Sequence, residues 1–119
     1  MPYICKNPES YEGEVIGTGQ CVAFVQRCAK APVTSSWKEG EKVKGSTTIQ
    51  KGTAIATFTD GKYPNKGTGN HAAIYLSQSD AGIWVYDQWY GHPVEKRLIR
   101  FRGGSGSPSN DGDAFSIVE

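Results

Sequence analysis

Covalent chemistry in this chain would start from a cysteine, and Cys21 is the one best placed for it. It follows Gly17-Thr18-Gly19-Gln20 and opens the run Cys21-Val22-Ala23-Phe24-Val25-Gln26-Arg27-Cys28-Ala29. That run is apolar and helix-compatible, with Thr18 or Gly19 as its cap and Pro32 as its stop. A thiol in the first turn of a helix lies beside unpaired backbone N–H groups and the positive end of the helix, and both favour the thiolate. The help is needed, because an ordinary thiol with a pKa of about 8.5 holds little thiolate at neutral pH. The same N–H groups can receive the oxyanion formed when a thiolate attacks a carbonyl. Gly19 leaves that side open to substrate. Gln20 can add a donor from its amide or orient the turn.

A thiolate that acylates needs a proton donor and acceptor beside it. His71 opens the run His71-Ala72-Ala73-Ile74-Tyr75-Leu76-Ser77 directly after a Gly-, Asn- and Lys-rich loop. A base at a strand end can reach across a groove to a helix tip. A third group must hold the imidazole in one tautomer. Asp87 and Gln88 are the candidates, in the run Ile83-Trp84-Val85-Tyr86-Asp87-Gln88-Trp89. Strand side chains alternate, so His71, Ala73 and Tyr75 share one face. If the hairpin aligns His71 with position 87 or 89, Asp87 faces the histidine; a slip of one residue presents Gln88 instead. Asp87 is the favoured choice, since a carboxylate on an otherwise apolar face needs a partner.

The elements that must position these residues follow an α+β order. One early helix precedes strands at 53–58, 71–77, 83–89, 94–101 and 114–118, with a hairpin across the turn Ser79-Asp80-Ala81-Gly82. Segment 33–48 reads as polar and turn-rich, anchored by Trp37 and Val43. With 119 residues and no internal linker, a single domain spans 1–119. There are three cysteines, so at least one thiol is unpaired. Cys21 and Cys28 stand two helical turns apart, about 10 Å, too far for a disulfide. Any disulfide must therefore involve Cys5, most simply with Cys28, which leaves Cys21 free.

The formal net charge is +1 and the basic residues are scattered, so a nucleic-acid partner is not expected. The densest basic stretch, Lys96-Arg97-Leu98-Ile99-Arg100-Phe101-Arg102, reads as a strand with a charged solvent face. No apolar run is long enough to span a membrane. The first residues show no Sec-type leader pattern. No zinc-type cysteine spacing exists, and no metal or cofactor is expected.

Taken together, the motifs resemble a known family. Gly19-Gln20-Cys21-Val22-Ala23-Phe24-Val25 resembles the Gly-Gln-Cys helix start of the CHAP and NlpC-type cysteine peptidases. The run 52–58 looks like their strand before the histidine, and Gly69-Asn70-His71-Ala72-Ala73-Ile74-Tyr75-Leu76 looks like their His-opened strand. The likeness covers about residues 17–89. It implies a papain-like α+β fold, a catalytic helix packed on an antiparallel sheet, and hydrolysis of a peptidoglycan stem-peptide or cross-link amide. Residue by residue, it makes Cys21 nucleophile, His71 base and Asp87 orienter, with the Cys21 backbone and Gln20 at the oxyanion. CHAP domains more often carry Glu followed by Asn at the third position, a departure here. The small size and absent leader also look like amidase effectors injected into rival cells by type VI secretion. Such an effector is made in the cytoplasm, acts in a target periplasm, and meets a cognate immunity protein; a monomer is expected.

Other residues invite less. His92 falls in a turn and reads as surface. Trp37, Trp84, Trp89 and Tyr90 read first as core. Asn110-Asp111-Gly112-Asp113 lacks the closing Glu of a calcium loop and reads as a turn. The placement of Cys21 predicts that iodoacetamide near neutral pH alkylates it faster than Cys5 or Cys28, as peptide mapping would show; equal labelling would count against an activated thiol.

Overall fold

The computed structural model describes residues 1–119. Its helix α1 runs Cys21–Ala29. Glycines at 17 and 19, with φ of 57° and 87°, turn the chain just before it. Lys30 ends it in the left-handed conformation. Val22, Phe24, Val25, Cys28 and Ala29 are its buried side chains, and Phe24, Val25 and Cys28 follow the half-buried Cys21 at i+3, i+4 and i+7.

Six strands follow: β1 (Glu39–Lys42), β2 (Ala54–Thr57), β3 (Ala72–Gln78), β4 (Gly82–Trp89), β5 (His92–Arg100) and β6 (Phe115–Val118). They form one sheet in the order β1-β6-β2-β3-β4-β5, with every pairing antiparallel. Both faces are covered. On one, Ala54, Ala56, Ala72, Ile74 and Tyr86 pack with α1. The alanines let the helix approach the sheet closely. On the other, Val43, Ile55, Ala73, Tyr75, Ile83, Val85, Ile99 and Phe115 form a second cluster. Burial on both sides is why β2 and the first half of β3 read as unbroken apolar runs.

The strands and helix predicted from sequence are present, with two differences. β1 lies inside the stretch read as turns. Its four residues, Glu-Gly-Glu-Lys, are polar because β1 is an edge strand with little burial, so no alternation marks it. At the helix start, neither Thr18 nor Gly19 caps. Gln20 occupies the cap position, and no side chain there bonds to the helix N–H groups.

Register decides what faces His71. Near the turn, Gln78 pairs with Ile83 and Ser77 with Trp84; beyond Leu76 the pairs become Tyr75–Val85 and Ile74–Tyr86. Leu76 is therefore an extra residue, a bulge. Counted straight from the turn, Gln88 would share His71's face. The bulge shifts the ladder by one and gives that place to Asp87.

Cys5 and Cys28 are joined by a disulfide, which ties the N-terminal segment to the end of α1. That segment is also held by Cys5 N–H donating to the Gly52 carbonyl (2.8 Å) and Ala54 N–H donating to the Tyr3 carbonyl (2.8 Å). Gly52 has a φ of 97°, and a Cβ there would collide with the Cys5 carbonyl oxygen. The disulfide spans 23 positions. Replacing both cysteines by serine is expected to cost about 3 kcal/mol of stability by loop-closure entropy. Urea unfolding under non-reducing conditions measures this, and an unchanged midpoint would contradict it.

Candidate active site

The turn that delivers Cys21 is clamped by Gln88. This amide is wholly buried. Its Oε1 accepts the Ile16 N–H (2.9 Å), and its Nε2 donates to the carbonyls of Ile16 (2.9 Å) and Gln20 (2.8 Å). Gln88 therefore faces the helix side and does not orient the imidazole. It fixes the turn whose next residue is the thiol. Of the first-turn N–H groups, that of Ala23 donates to the Gln20 carbonyl (3.1 Å), while those of Cys21 and Val22 meet no backbone acceptor. The Gln20 side chain lines the cleft in front of them.

His71 stands one residue before β3, held at both backbone groups by Thr57. Its N–H donates to Thr57 Oγ1 (3.0 Å), and its carbonyl accepts the Thr57 N–H (3.0 Å). The ring is buried, edge-on to Trp89 and Phe115 at 6.4 Å each. Its Nε2 lies 2.7 Å from Asp87 Oδ2. An ionised carboxylate only accepts, so Nε2 carries the proton and Nδ1 is left for the sulfur.

Asp87 has no exposure to water. Arg97 holds it from the other side, with Nη2 at 2.6 Å and Nε at 3.0 Å from Oδ2. Arg97 pairs with Val85 in the hairpin, which places it diagonally from Asp87 on the same face. It is thus turned inward and is not part of a solvent face, as the sequence suggested. The signal for it was Asp87 itself, a carboxylate on an apolar face that one histidine alone cannot satisfy.

Tyr63 completes the surround of the sulfur. Its hydroxyl lies 3.7 Å from Cys21 Sγ and accepts a hydrogen bond from Asn70 Nδ2 (3.1 Å). Asn70 Oδ1 in turn accepts the Lys66 N–H (2.7 Å), which fastens the loop. With its lone pair engaged by Asn70, Tyr63 has its proton free for the sulfur. The ring is anchored against Trp37 at 5.0 Å. Tyr63 escaped the sequence reading because it lies in a loop without periodicity.

The electrostatics follow from these contacts. Burial pushes the Cys21 thiol up. The hydrogen bond and charge of His71, the Ala72 backbone N–H and Tyr63 outweigh it and hold the thiol below its usual value. Burial pushes His71 down. Hydrogen bonds to Asp87 and Cys21, with the charges of both, raise it to about 9. Burial raises Asp87, but His71 and Arg97 bring it below the usual carboxylate range. Burial first, then the neighbouring Cys21, push the Tyr63 phenol well above its ordinary value, so it stays a neutral donor. The arrangement therefore favours the thiolate beside a protonated imidazole, each group stabilising the other's charged form.

Cys21 is half-buried and opens onto a cleft of about 540 Å³. Trp89 and Tyr90 form one wall. They are 39% and 83% exposed, so neither is core as the sequence suggested, because the hairpin tip carries them past the sheet. Trp37 is core. His92 stacks on Trp89 at 3.8 Å and meets Glu95 at 3.0 Å. Asp111 is buried in its turn, accepting the N–H groups of Arg102, Gly104 and Asp113. No three His, Cys, Asp or Glu side chains converge to hold a metal.

Comparison with known proteins places this geometry. Residues 1–118 match the model of a family described as domesticated amidase effector 2 (Dae2). The chain is 41% identical to the type VI secretion amidase effector 2 protein of Salmonella typhi, with 100% of each chain covered. It is 44% identical to domesticated amidase effector 2 of Ixodes scapularis, covering 97% of this chain and 83% of that one. A solved structure of type 6 secretion amidase effector 2 (Tae2) superimposes with a TM-score of 0.85 at 38% identity, over 98% of this chain and 94% of the other. A family match over nearly the whole length, with relatives above 40% identity, leaves one conclusion: the chain belongs to the domesticated amidase effector 2 family.

Proposed function

We propose that this protein hydrolyses an amide bond of bacterial peptidoglycan through a thioester on Cys21. The observation that carries the reading is the continuous array Arg97–Asp87–His71–Cys21, ending in a half-buried sulfur at an uncapped helix start beside an open cleft. The names of the relatives supply the amide.

The thiolate attacks the amide carbonyl carbon, forming a C–S bond and placing negative charge on the carbonyl oxygen. The Cys21 N–H and the Gln20 side chain are the donors proposed for that oxygen. The C–N bond then breaks, and the His71 imidazolium gives its Nδ1 proton to the departing amine. Water attacks the thioester and passes a proton to the now neutral His71. The acid product leaves and the thiolate–imidazolium pair is restored. Asp87 steadies the imidazolium throughout, and Tyr63 and the Ala72 N–H hold the sulfur between turnovers.

A disulfide suits an oxidising compartment. We therefore read the protein as an antibacterial effector delivered to the envelope of a target cell. A cognate immunity protein that blocks the cleft is its proposed partner. A binding module with an inert cysteine is the competing reading, and the paired, accessible Cys21 argues against it.

Cys21→Ala should abolish release of peptides from purified peptidoglycan while far-UV circular dichroism stays the same. Mass spectrometry of the muropeptides identifies the bond, and undiminished digestion by this variant would refute the mechanism. The pH profile carries a second expectation. Acylation needs the charged imidazole, so kcat/KM should fall as pH rises through about 9, where His71 loses its proton. Asp87→Asn removes a hydrogen bond and a charge that raise His71, so the fall should move to lower pH; an unmoved limb would separate Asp87 from the base.

A further inference from the structure

His92 reads from the sequence as a surface residue in a turn, and it takes no part in the steps above. Its setting is nevertheless specific. β4 and β5 pair Asp87 with Glu95 and then Trp89 with His92, two steps on one strand against three on the other. β5 therefore carries a bulge at Pro93 and Val94. Proline has no N–H for the ladder, and the Val94 N–H donates away from β4 to the Glu14 carbonyl (2.9 Å). In an unbroken ladder Pro93 would stand opposite Trp89. The bulge puts an imidazole there.

The His92 ring lies flat on the Trp89 indole, with 3.8 Å between centroids and 12° between planes. Its Nδ1 is 3.0 Å from the Pro93 carbonyl oxygen, and its Nε2 is 3.0 Å from Glu95 Oε1. Both ring nitrogens are thus tied to its own strand, which fixes the plane that the indole meets. The indole needs such a support. Trp89 is the last residue of β4 and is 39% exposed, so the sheet does not confine it. The same indole stands edge-on to His71 at 6.4 Å and has the Arg97 guanidinium over its ring at 5.0 Å. His71 and Arg97 are the partners of the buried Asp87. One side chain therefore packs against both ends of that ion-paired group, and His92 is what holds it. His92 itself lines neither the cleft of Cys21 nor the cavity of about 330 Å³ that Arg97 lines.

We infer that His92 is a positioning residue for the hydrolysis: by stacking on Trp89 it holds the indole against Arg97 and His71, and so keeps the imidazole aligned with the sulfur. His92 meets no substrate and exchanges no proton; it acts through Trp89. Without the stack, a half-exposed indole regains rotamer freedom, and the Arg97–Asp87–His71 geometry loosens with it. The inference rests on the amidase reading above for the reaction it serves, and on the packing alone for its effect on Cys21.

The test compares His92→Ala with His92→Phe in the intact protein, on a cross-linked stem-peptide dimer containing the bond found by muropeptide analysis. Loss of an aromatic stack should lower kcat about fivefold in His92→Ala, with KM within about twofold. His92→Phe keeps a flat ring on the indole and should bring kcat back to within about twofold of the unaltered protein. A second readout needs no peptidoglycan. In His92→Ala the pH midpoint for alkylation of Cys21 by iodoacetamide should rise by about 0.5, because a less firmly held imidazole lowers the thiol less. An unchanged kcat, a rise in KM alone, a Phe variant as slow as the Ala variant, or an unmoved alkylation midpoint would overturn the inference. If the unaltered protein does not cut the dimer, the amidase reading fails, and the alkylation midpoint still decides whether His92 steadies the His71–Cys21 pair.

Discussion

A carboxylate cut off from water governs this molecule. Asp87 is surrounded by protein, and a buried charge of that kind is tolerated only when paired and hydrogen-bonded. Arg97 and His71 supply the pairing from opposite sides. The arrangement does more than neutralise. It sets which imidazole nitrogen holds the proton, favours the cationic ring beside the sulfur, and so lowers the Cys21 thiol toward its thiolate. Each group's charge state is stabilised by its neighbour, from the guanidinium to the thiolate.

Adjacent residues divide the labour. Asp87 and Gln88 point to opposite faces of β4. The first reaches the imidazole, and the second grips the turn before α1. One strand thereby positions both Cys21 and His71, the proposed nucleophile and base. The relative placement of sulfur and imidazole is built into rigid sheet backbone, as a preorganised site requires.

Much of this could be read from the residues alone. Cys21 announces itself by an apolar helix behind glycines, and His71 by a strand behind a flexible loop. The choice between Asp87 and Gln88 could not be made, because it turns on a bulge at Leu76 that no residue type signals. The inward turn of Arg97 has no sequence signature, since period-two alternation does not tell which way a basic residue turns when the strand lies at a sheet edge. Tyr63 and Asn70 come from a loop, where long-range contacts set the conformation and local pattern is silent. β1 was missed because a polar edge strand owes its form to its partner β6 and not to its own residues.

The bulge at Leu76 also separates two parts of the β3–β4 hairpin. Between it and His71, the ladder is locked by β2 on one side and by packing on both faces. Between it and the exposed tip lie only the pairs Ser77–Trp84 and Gln78–Ile83. Changes at the exposed tip, 79–81, therefore fall outside the part of the ladder that faces Asp87 to His71. Were Leu76 instead drawn straight into the ladder, an amide would replace the carboxylate in front of the imidazole without a single change of sequence.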